Sequence, residues 1–127
     1  MTHTTRHSLP QWSKDDRIQM ADFNNAMATL DAAVPKIVTG TYNGNGTASQ
    51  TISLPFTPKA VLVVDSMGKM CIADSYYFAY GGLAVTGANS SAVSITTNGF
   101  IARYNTGTNP RQYTNNSNET YFYLAIG

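Results

Sequence analysis

Residues 36–65, KIVTGTYNGNGTASQTISLPFTPKAVLVVD, decide the fold because strand-forming and turn-forming residues alternate along them. Residues 36–42 and 48–54 are rich in Ile, Val, Thr and Tyr, which favour strands. The Asn-Gly-Asn-Gly segment at 43–46 supplies residues that tolerate the positive φ angles of a tight turn. The pattern predicts an antiparallel hairpin.

One face of this predicted hairpin is apolar and the other is polar. Pairing across an Asn-Gly turn places Ile37 on the same face as Ile52 and Leu54, and we expect that face to be buried. The opposite face carries short hydroxyl side chains, namely Ser49, Thr51 and Ser53.

A third strand is predicted at residues 60–64, where the apolar run AVLVV is typical of a strand covered on both faces. Pro55 and Pro58 precede it and end the second strand, because proline cannot donate to a β-ladder. We expect residues 60–64 to lie at the centre of the core.

A second hairpin is predicted at residues 92–104, with Asn98-Gly99 as its two-residue turn and with Gly99 at positive φ. Such a turn opposes Ile95 to Ala102. The two predicted faces are a core face of Val93, Ile95, Phe100, Ala102 and Tyr104, and an outer face of Ser94, Thr96, Ile101 and Arg103.

Aromatic residues dominate two further predicted strands. Residues 76–80 read YYFAY, and Gly81-Gly82 separates them from a strand at 83–85. We interpret the tyrosines as core residues that tie a sandwich together; a surface on which a ligand stacks is the alternative. Residues 121–126, YFYLAI, form a final strand with apolar side chains on both faces.

Residues 13–34 carry the pattern of a short helix that ends at Val34-Pro35, with Ser13 and Asp22 as alternative N-caps. Its apolar stripe packs either on the chain's own domain or against other copies in a short coiled coil. We favour the second arrangement and predict a homotrimer. The candidate oligomerisation residues, at spacings of three and four, are Phe23, Met27, Leu30 and Val34.

These patterns together predict a mainly β chain with two parts. Residues 1–35 form an extended segment and a short helix that serves trimerisation. Residues 36–127 form an antiparallel β-sandwich.

Charge and cysteine content disfavour several classes of function. Charged residues make up 12% of the chain and the net charge is +1, so no basic surface is available for nucleic acid. No apolar run reaches the roughly 18 residues of a membrane span, and no signal peptide is visible. Cys71 has no cysteine partner and we expect it to be a buried, unreactive thiol. His3 and His7 lack an acidic or cysteine partner, so we predict neither a metal site nor a cofactor.

Residues 105–120, NTGTNPRQYTNNSNET, form a long polar loop, and such loops in compact domains are usually functional or disordered. A tyrosine ring stacks on the C–H face of a sugar, and amide and guanidinium groups pair with its hydroxyls. The composition therefore predicts a weak, calcium-independent glycan site, with a plain solvated loop as the alternative. The candidate ligand-binding residues are Tyr104, Arg111, Tyr113, Asn115, Asn116 and Asn118.

Several segments carry a resemblance to a known family. LPQW at 9–12 and LDAAV at 30–34, together with GTYNGNGTASQTISL at 40–54 and YLAIG at 123–127, resemble tail-fibre and related adsorption proteins of bacteriophages and prophages. A first strand led by Gly40, the segment FTPKAVLV at 56–63, Gly-Phe at 99–100 and a terminal Ala-Ile-Gly at 125–127 are also present. On these positions the sandwich region resembles the H-type lectin domain, a family in which trimeric six-stranded sandwiches bind sugars. The sugar-contact residues of that family do not align with this sequence, so no site residue is carried over.

The resemblance implies a phage tail fibre or tip protein that attaches to the host cell by binding a surface glycan. Such a protein contacts other virion proteins through its N-terminal segment, does not insert into a membrane and is made in the bacterial cytoplasm without a signal peptide. The alternative is a structural virion component, such as a head fibre, decoration or tail-assembly protein, without a receptor-binding role.

We do not predict an enzyme. Glycan cleavage usually needs two paired carboxylates. The acidic residues of the predicted sandwich are Asp65, Asp74 and Glu119, and no motif arranges them into such a pair.

Overall fold

The computed structural model describes residues 1–127, which form two compact units, Met1–Pro35 and Lys36–Gly127. The chain is mainly β, with antiparallel sheets in a sandwich-like arrangement and one helix. The predicted fold class is therefore confirmed.

The first unit contains a short antiparallel pair and the helix. Strand β1 (Thr2–His3) pairs with β2 (Pro10–Gln11), and helix α1 spans Met20–Ala33. Neither predicted N-cap is used, because the residue that precedes α1 is Gln19 and its side chain makes no capping hydrogen bond. Ser13 instead forms a separate turn, in which its backbone N–H donates to Oδ2 of Asp16 at 2.7 Å.

The end of α1 follows the sequence prediction. Val34 is extended, as expected of a residue before proline, and its N–H donates to the carbonyl of Leu30 at 2.9 Å. Val34 therefore lies outside the helix. Phe23 and Met27 are 49% and 44% exposed, and Ala26 is the buried residue of α1. The helix is neither long nor apolar enough to cross a membrane.

The second unit contains ten strands. In chain order they are β3 (Ile37–Asn43), β4 (Ser49–Ser53), β5 (Ala60–Asp65), β6 (Cys71–Ala73), β7 (Tyr77–Ala79), β8 (Gly82–Val85), β9 (Val93–Thr96), β10 (Gly99–Asn105), β11 (Arg111–Tyr113) and β12 (Thr120–Ile126).

These strands form two sheets. The four-stranded sheet has the order β3-β12-β5-β8, and all of its pairs are antiparallel. The six-stranded sheet has the order β4-β10-β11-β7-β6, with β9 also paired to β10. Its pairs are antiparallel except for β11 and β7, which run parallel.

The core lies between the two sheets. Tyr42, Val61 and Val63 of the four-stranded sheet and Phe100 of the six-stranded sheet belong to one buried cluster. The rings of Tyr42 and Phe100 meet edge to face, with centroids 5.8 Å apart. Val61 and Val63 are fully buried, so the prediction that this strand lies in the core is correct for one of its faces.

The predicted hairpin between the first two strands of this unit is wrong. β3 pairs with β12 along its whole length, from Ile37 opposite Ile126 to Asn43 opposite Thr120. β4 pairs with β10 in the other sheet. Ile37 therefore does not share a face with Ile52 and Leu54. It is 58% exposed on the outer side of β3. The polar face of β4 is predicted correctly, since these three residues are exposed: Ser49, Thr51 and Ser53.

The Asn-Gly-Asn-Gly segment is a corner between the sheets because its backbone bonds to another loop. The N–H of Gly44 donates to the carbonyl of Glu119 at 2.8 Å, and the N–H of Gly46 donates to the carbonyl of Asn115 at 2.9 Å. A Cβ on Gly44 would lie 2.0 Å from the carbonyl oxygen of Asn116. The glycine is needed there for close approach between two chain segments.

The second predicted hairpin forms, but its turn is displaced by one residue. Ile95 lies opposite Phe100, and the connecting residues are Thr97 and Asn98. Asn98 adopts the positive φ of 52° that was expected of Gly99. A one-residue displacement of a two-residue turn keeps each side chain on its face, so the predicted faces hold.

The remaining predictions differ in outcome. A bend at Tyr80, followed by Gly81, does separate β7 from β8, but the two strands enter different sheets. The loop at 105–120 is interrupted by β11, and β12 begins at Thr120. Cys71 is exposed and not buried, because it lies on β6 at the edge of the six-stranded sheet.

Candidate functional site

Aromatic side chains from three strands meet at one region of the six-stranded sheet. Tyr104, near the end of β10, lies opposite Tyr113 of β11. Arg111 of β11 lies opposite Phe78 of the parallel strand β7, and Tyr80 follows β7 directly. We call Phe78, Tyr80, Tyr104 and Tyr113 the aromatic cluster.

Tyr113 is at the centre of the aromatic cluster. Its ring stacks on Tyr80 with centroids 5.3 Å apart and planes 17° apart, and on Phe78 at 6.0 Å and 26°. Tyr104 meets the same ring edge to face at 5.7 Å. All four side chains are half-buried. The cluster therefore has a fixed geometry and still presents part of its surface to solvent.

Two cationic side chains lie over these rings. The guanidinium carbon of Arg111 is 4.6 Å from the ring centroid of Tyr76 and 5.5 Å from that of Phe78. The Nζ of Lys69 is 4.1 Å from the ring centroid of Tyr80. Cation–π contacts at these distances hold the cations in place beside the aromatic surface. They leave N–H groups available to acceptors on a ligand.

A small cleft of about 100 Å³ adjoins the aromatic cluster through Tyr80. Asp65 at its wall is only 5% exposed, and its Oδ1 accepts hydrogen bonds from the backbone N–H groups of Met67 and Lys69 at 2.9 and 2.7 Å. Its Oδ2 lies 3.3 Å from Nζ of Lys69. This carboxylate is thus occupied in holding the turn after β5. The cleft is lined by Asp65, Ser66, Met67, Lys69, Tyr80, Asn116, Glu119 and Tyr121.

The hydroxyl of Tyr121 connects the cleft to β11. It donates a hydrogen bond to the carbonyl of Tyr113 and accepts one from the backbone N–H of Asn116 at 3.1 Å. Burial raises the pKa of Tyr121 to about 12. The phenol therefore stays protonated at neutral pH and fixes the backbone that carries Tyr113.

The structure brings together some of the predicted ligand-binding residues and separates others. Tyr104, Arg111 and Tyr113 meet on one surface. Asn116 lines the adjoining cleft, and Asn118 is exposed at a positive φ of 62°. These residues remain candidates.

Asn115 is not accessible to a ligand, which corrects its inclusion among the candidates. Its side chain is fully buried and donates to Oδ1 of Asn45 at 2.7 Å and to the carbonyl of Thr47 at 2.9 Å. Its own Oδ1 accepts from the backbone N–H of Asn45 at 3.1 Å. Buried amides are normally satisfied in this way, and here the amide joins two loops.

Ligand stacking on residues 76–80 is only the alternative interpretation of the sequence, so the candidate residues include none from β7. Tyr76 and Tyr77 are 50% and 55% exposed, so they do not tie the sandwich together as interpreted. The YYFAY run signalled aromatic density, but the parallel pairing of β7 with β11 has no local sequence signal. Only that pairing places Phe78 and Tyr80 beside Tyr113.

The residues at this surface suit recognition of an uncharged polar ligand. Aromatic faces, a guanidinium, an ammonium and an amide are present, and no group of three or more His, Cys, Asp or Glu side chains that could hold a metal ion occurs in the chain. Comparisons with protein families, with characterised proteins and with solved structures find no match to this chain.

Proposed function

We propose that this chain is a bacteriophage tail-fibre or tip protein that attaches to its host through a surface glycan. The aromatic cluster, with Arg111 and Tyr76 beside it, is the proposed binding surface. One observation carries the proposal: three residues selected for sugar recognition from sequence, Tyr104, Arg111 and Tyr113, lie together on a partly exposed aromatic surface. The resemblance to phage adsorption proteins supplies the biological context.

Sugar chemistry matches this surface. A hexose offers a face of C–H groups that packs on an aromatic ring, and its hydroxyls pair with guanidinium, ammonium and amide groups. Arg111 and Lys69 hold such donors beside the rings of Tyr76 and Tyr80. Because the aromatic rings are fixed by stacking on each other, little conformational entropy is lost when a sugar binds.

A single site of this kind binds weakly. We expect a dissociation constant near millimolar, which corresponds to about 4 kcal/mol. Several sites on one particle then act together, and avidity gains of roughly 10² to 10⁴ are available without any new contact. A homotrimeric chain on a virion appendage provides such multiplicity.

Neighbouring tyrosines offer a matched test. Tyr76 is 50% exposed under Arg111, and Tyr77 is 55% exposed, with no contact to the guanidinium. We expect Tyr76→Ala, Arg111→Ala and Tyr113→Ala to reduce binding on a glycan array and to whole host cells at least tenfold. Tyr77→Ala should bind as the unsubstituted chain does. Equal binding by all four variants would remove this surface as the site.

The alternative is a structural virion component. Absence of binding by the unsubstituted chain to any glycan or host cell, with folded protein, would favour that role. A label on this chain in images of the particle would then locate it on the tail or the capsid.

A further inference from the structure

The outward face of the four-stranded sheet is mainly apolar along three register rows, and the row beyond them, Thr120 with Asn43, is polar. One row contains Phe122 and Val64 with Thr41, and the next contains Leu124, Leu62 and Leu83 with Thr39. The third row contains only apolar residues: Ile37, Ile126, Ala60 and Val85. We call the residues of these three rows the outer apolar face. It has no charged side chain.

The other sheet of the same sandwich shows what a solvated outward face looks like. On β4, β9 and β10 the outward rows contain Ser49 with Arg103, Thr51 with Ser94, and Ser53 with Thr96. Ile101 is the apolar exception there. Antiparallel sheets that face water on one side alternate apolar and polar residues in this way. In the three rows of the four-stranded sheet, β5, β8 and β12 carry apolar residues outward, and only β3 keeps polar ones there, namely Thr39 and Thr41. Apolar residues on both faces of a strand are typical of a sheet covered on both sides.

Three side chains of this face are largely exposed. Phe122 is 44% exposed, Leu83 is 53% exposed and Ile37 is 58% exposed. With strands about 4.8 Å apart and alternate residues about 6.7 Å apart, the rows occupy a footprint of about 400 Å². Contiguous apolar patches of this size on a monomer are often functional.

The shape and charge of the face indicate which partner covers it. A groove of about 430 Å³ runs along it between Thr39, Leu62 and Leu124, with the exposed ring of Phe122 at its wall. The face therefore carries an exposed aromatic side chain beside a shallow apolar depression. Because it has no charge, two copies of it meet without like-charge repulsion, whereas a charged partner would gain nothing from it.

We propose that the outer apolar face is an interface between copies of this chain, in which the face of one copy packs against the same face of its neighbours. Two such faces remove roughly 800 to 1,000 Å² from water, close to the lower limit for specific interfaces. This inference is independent of the glycan site, because it concerns the other sheet of the sandwich and is measured without a sugar.

The test uses side chains that are already exposed in the single chain, so that their replacement does not disturb the fold. Leu83 on β8 and Ile37 on β3 lie on opposite edge strands, and each is more than half exposed. The variants are Leu83→Lys and Ile37→Lys. Thr51→Lys, on the outward face of the six-stranded sheet, is the matched control.

Light scattering on the full chain at micromolar concentration is the measurement, with circular dichroism to confirm folding. We expect the unsubstituted chain and Thr51→Lys to have a multiple of the single-chain mass of 13.7 kDa, and both sheet variants to fall to 13.7 kDa. A monomeric unsubstituted chain would overturn the proposal. A second result would also overturn it: both sheet variants keep the oligomeric mass, and Phe23→Lys on α1 falls to the mass of a single chain. The helix would then be the interface. If one Lys variant fails to fold, the mass of the other one is the test. Phe122→Ser is a third variant, whose mass should also fall to that of a single chain.

Discussion

The side chain of Asn115 donates a hydrogen bond to the side chain of Asn45 across 70 residues of sequence, with Nδ2 and Oδ1 2.7 Å apart. Through this pair the loop before β12 holds the corner between β3 and β4. The corner lies where the chain passes from one sheet to the other, so the asparagine-rich loop stabilises the sandwich at its sheet crossing. The asparagine content of this loop, from which ligand binding was predicted, therefore also stabilises the fold.

The first prediction is that Asn115→Ala destabilises the fold. The substitution leaves the partly buried N–H of Asn45 and the carbonyl of Thr47 without their partners. We expect a loss of about 2 to 4 kcal/mol in the free energy of unfolding, measured by urea titration. Ser117→Ala, in the exposed part of the same loop, should change it by less than about 0.5 kcal/mol. Similar values for both variants would contradict the structural role of Asn115.

Local patterns in the sequence predict the longer strands of the second unit well because each is encoded by its own alternation or apolar run, whereas β11 lies inside the stretch predicted as a polar loop. The helix end at Val34 and the polar face of β4 are encoded in the same local way. The pairing of β3 with β12 depends on contacts between residues about 80 positions apart, and the Asn-Gly segment favours a local hairpin just as strongly. Tyr113 could be selected from sequence by its chemistry, whereas its neighbours on β7 could not, because a parallel pair leaves no turn signal.

The second prediction concerns Gly99, whose role differs from the one expected from sequence. Its Cβ would lie 2.3 Å from the carbonyl oxygen of Ile52, so Gly99→Ala forces β10 away from β4. We expect a loss of about 1 to 3 kcal/mol in the free energy of unfolding. Gly107→Ala is the control, since a Cβ there meets only Oδ1 of Asn105 at 3.4 Å. Asn98→Gly should be tolerated, because Asn98 and not Gly99 has positive φ. An unchanged melting temperature for Gly99→Ala would show that the strands are not this close.

The third prediction is a loss of stability at alkaline pH. Burial raises the pKa of Tyr121 to about 12 from an ordinary value of 10.0, and burial also raises the pKa of Tyr42. The unfolded chain therefore loses these protons at lower pH than the folded chain. The contribution of both phenols to stability is complete below pH 10 and decreases as the pH rises from about 10 towards 12. Urea titrations across this range measure it, and Tyr121→Phe should show a shallower decrease. A pH-independent free energy of unfolding from pH 9 to 12 would contradict the burial of these hydroxyls.

The fourth prediction is that the chain is a homotrimer and that the stripe on α1 contributes to its assembly. Phe23 and Met27 are nearly half exposed, and Leu30 is half-buried on the same helix. Phe23→Asp and Leu30→Asp place a carboxylate in an apolar contact, which costs several kcal/mol if it stays unpaired. We expect both variants to shift the trimer toward monomer in sedimentation equilibrium. Asn24→Asp, exposed on the same helix, is the control for charge. A trimer that all three variants leave intact would place assembly entirely on the sandwich.

The last prediction is that glycan binding persists when metal ions are removed. A calcium-dependent sugar site needs several oxygen ligands around the cation, usually including carboxylates. The aromatic cluster instead has Arg111 and Lys69 beside it, and Asp65, a carboxylate of the adjoining cleft, is held by Lys69 and by two backbone N–H groups. Binding to an immobilised glycan should therefore be the same in EDTA and in millimolar calcium. It should also fall only weakly with added salt, because the sugar is uncharged, so neither its stacking on the aromatic rings nor its hydrogen bonds to Arg111 and Lys69 are screened as charge pairs are. A lectin of known calcium dependence on the same surface controls for complete chelation. If EDTA abolishes binding and calcium restores it, a different, acidic part of the surface holds the sugar. In that case Arg111→Ala would leave the affinity for the glycan unchanged.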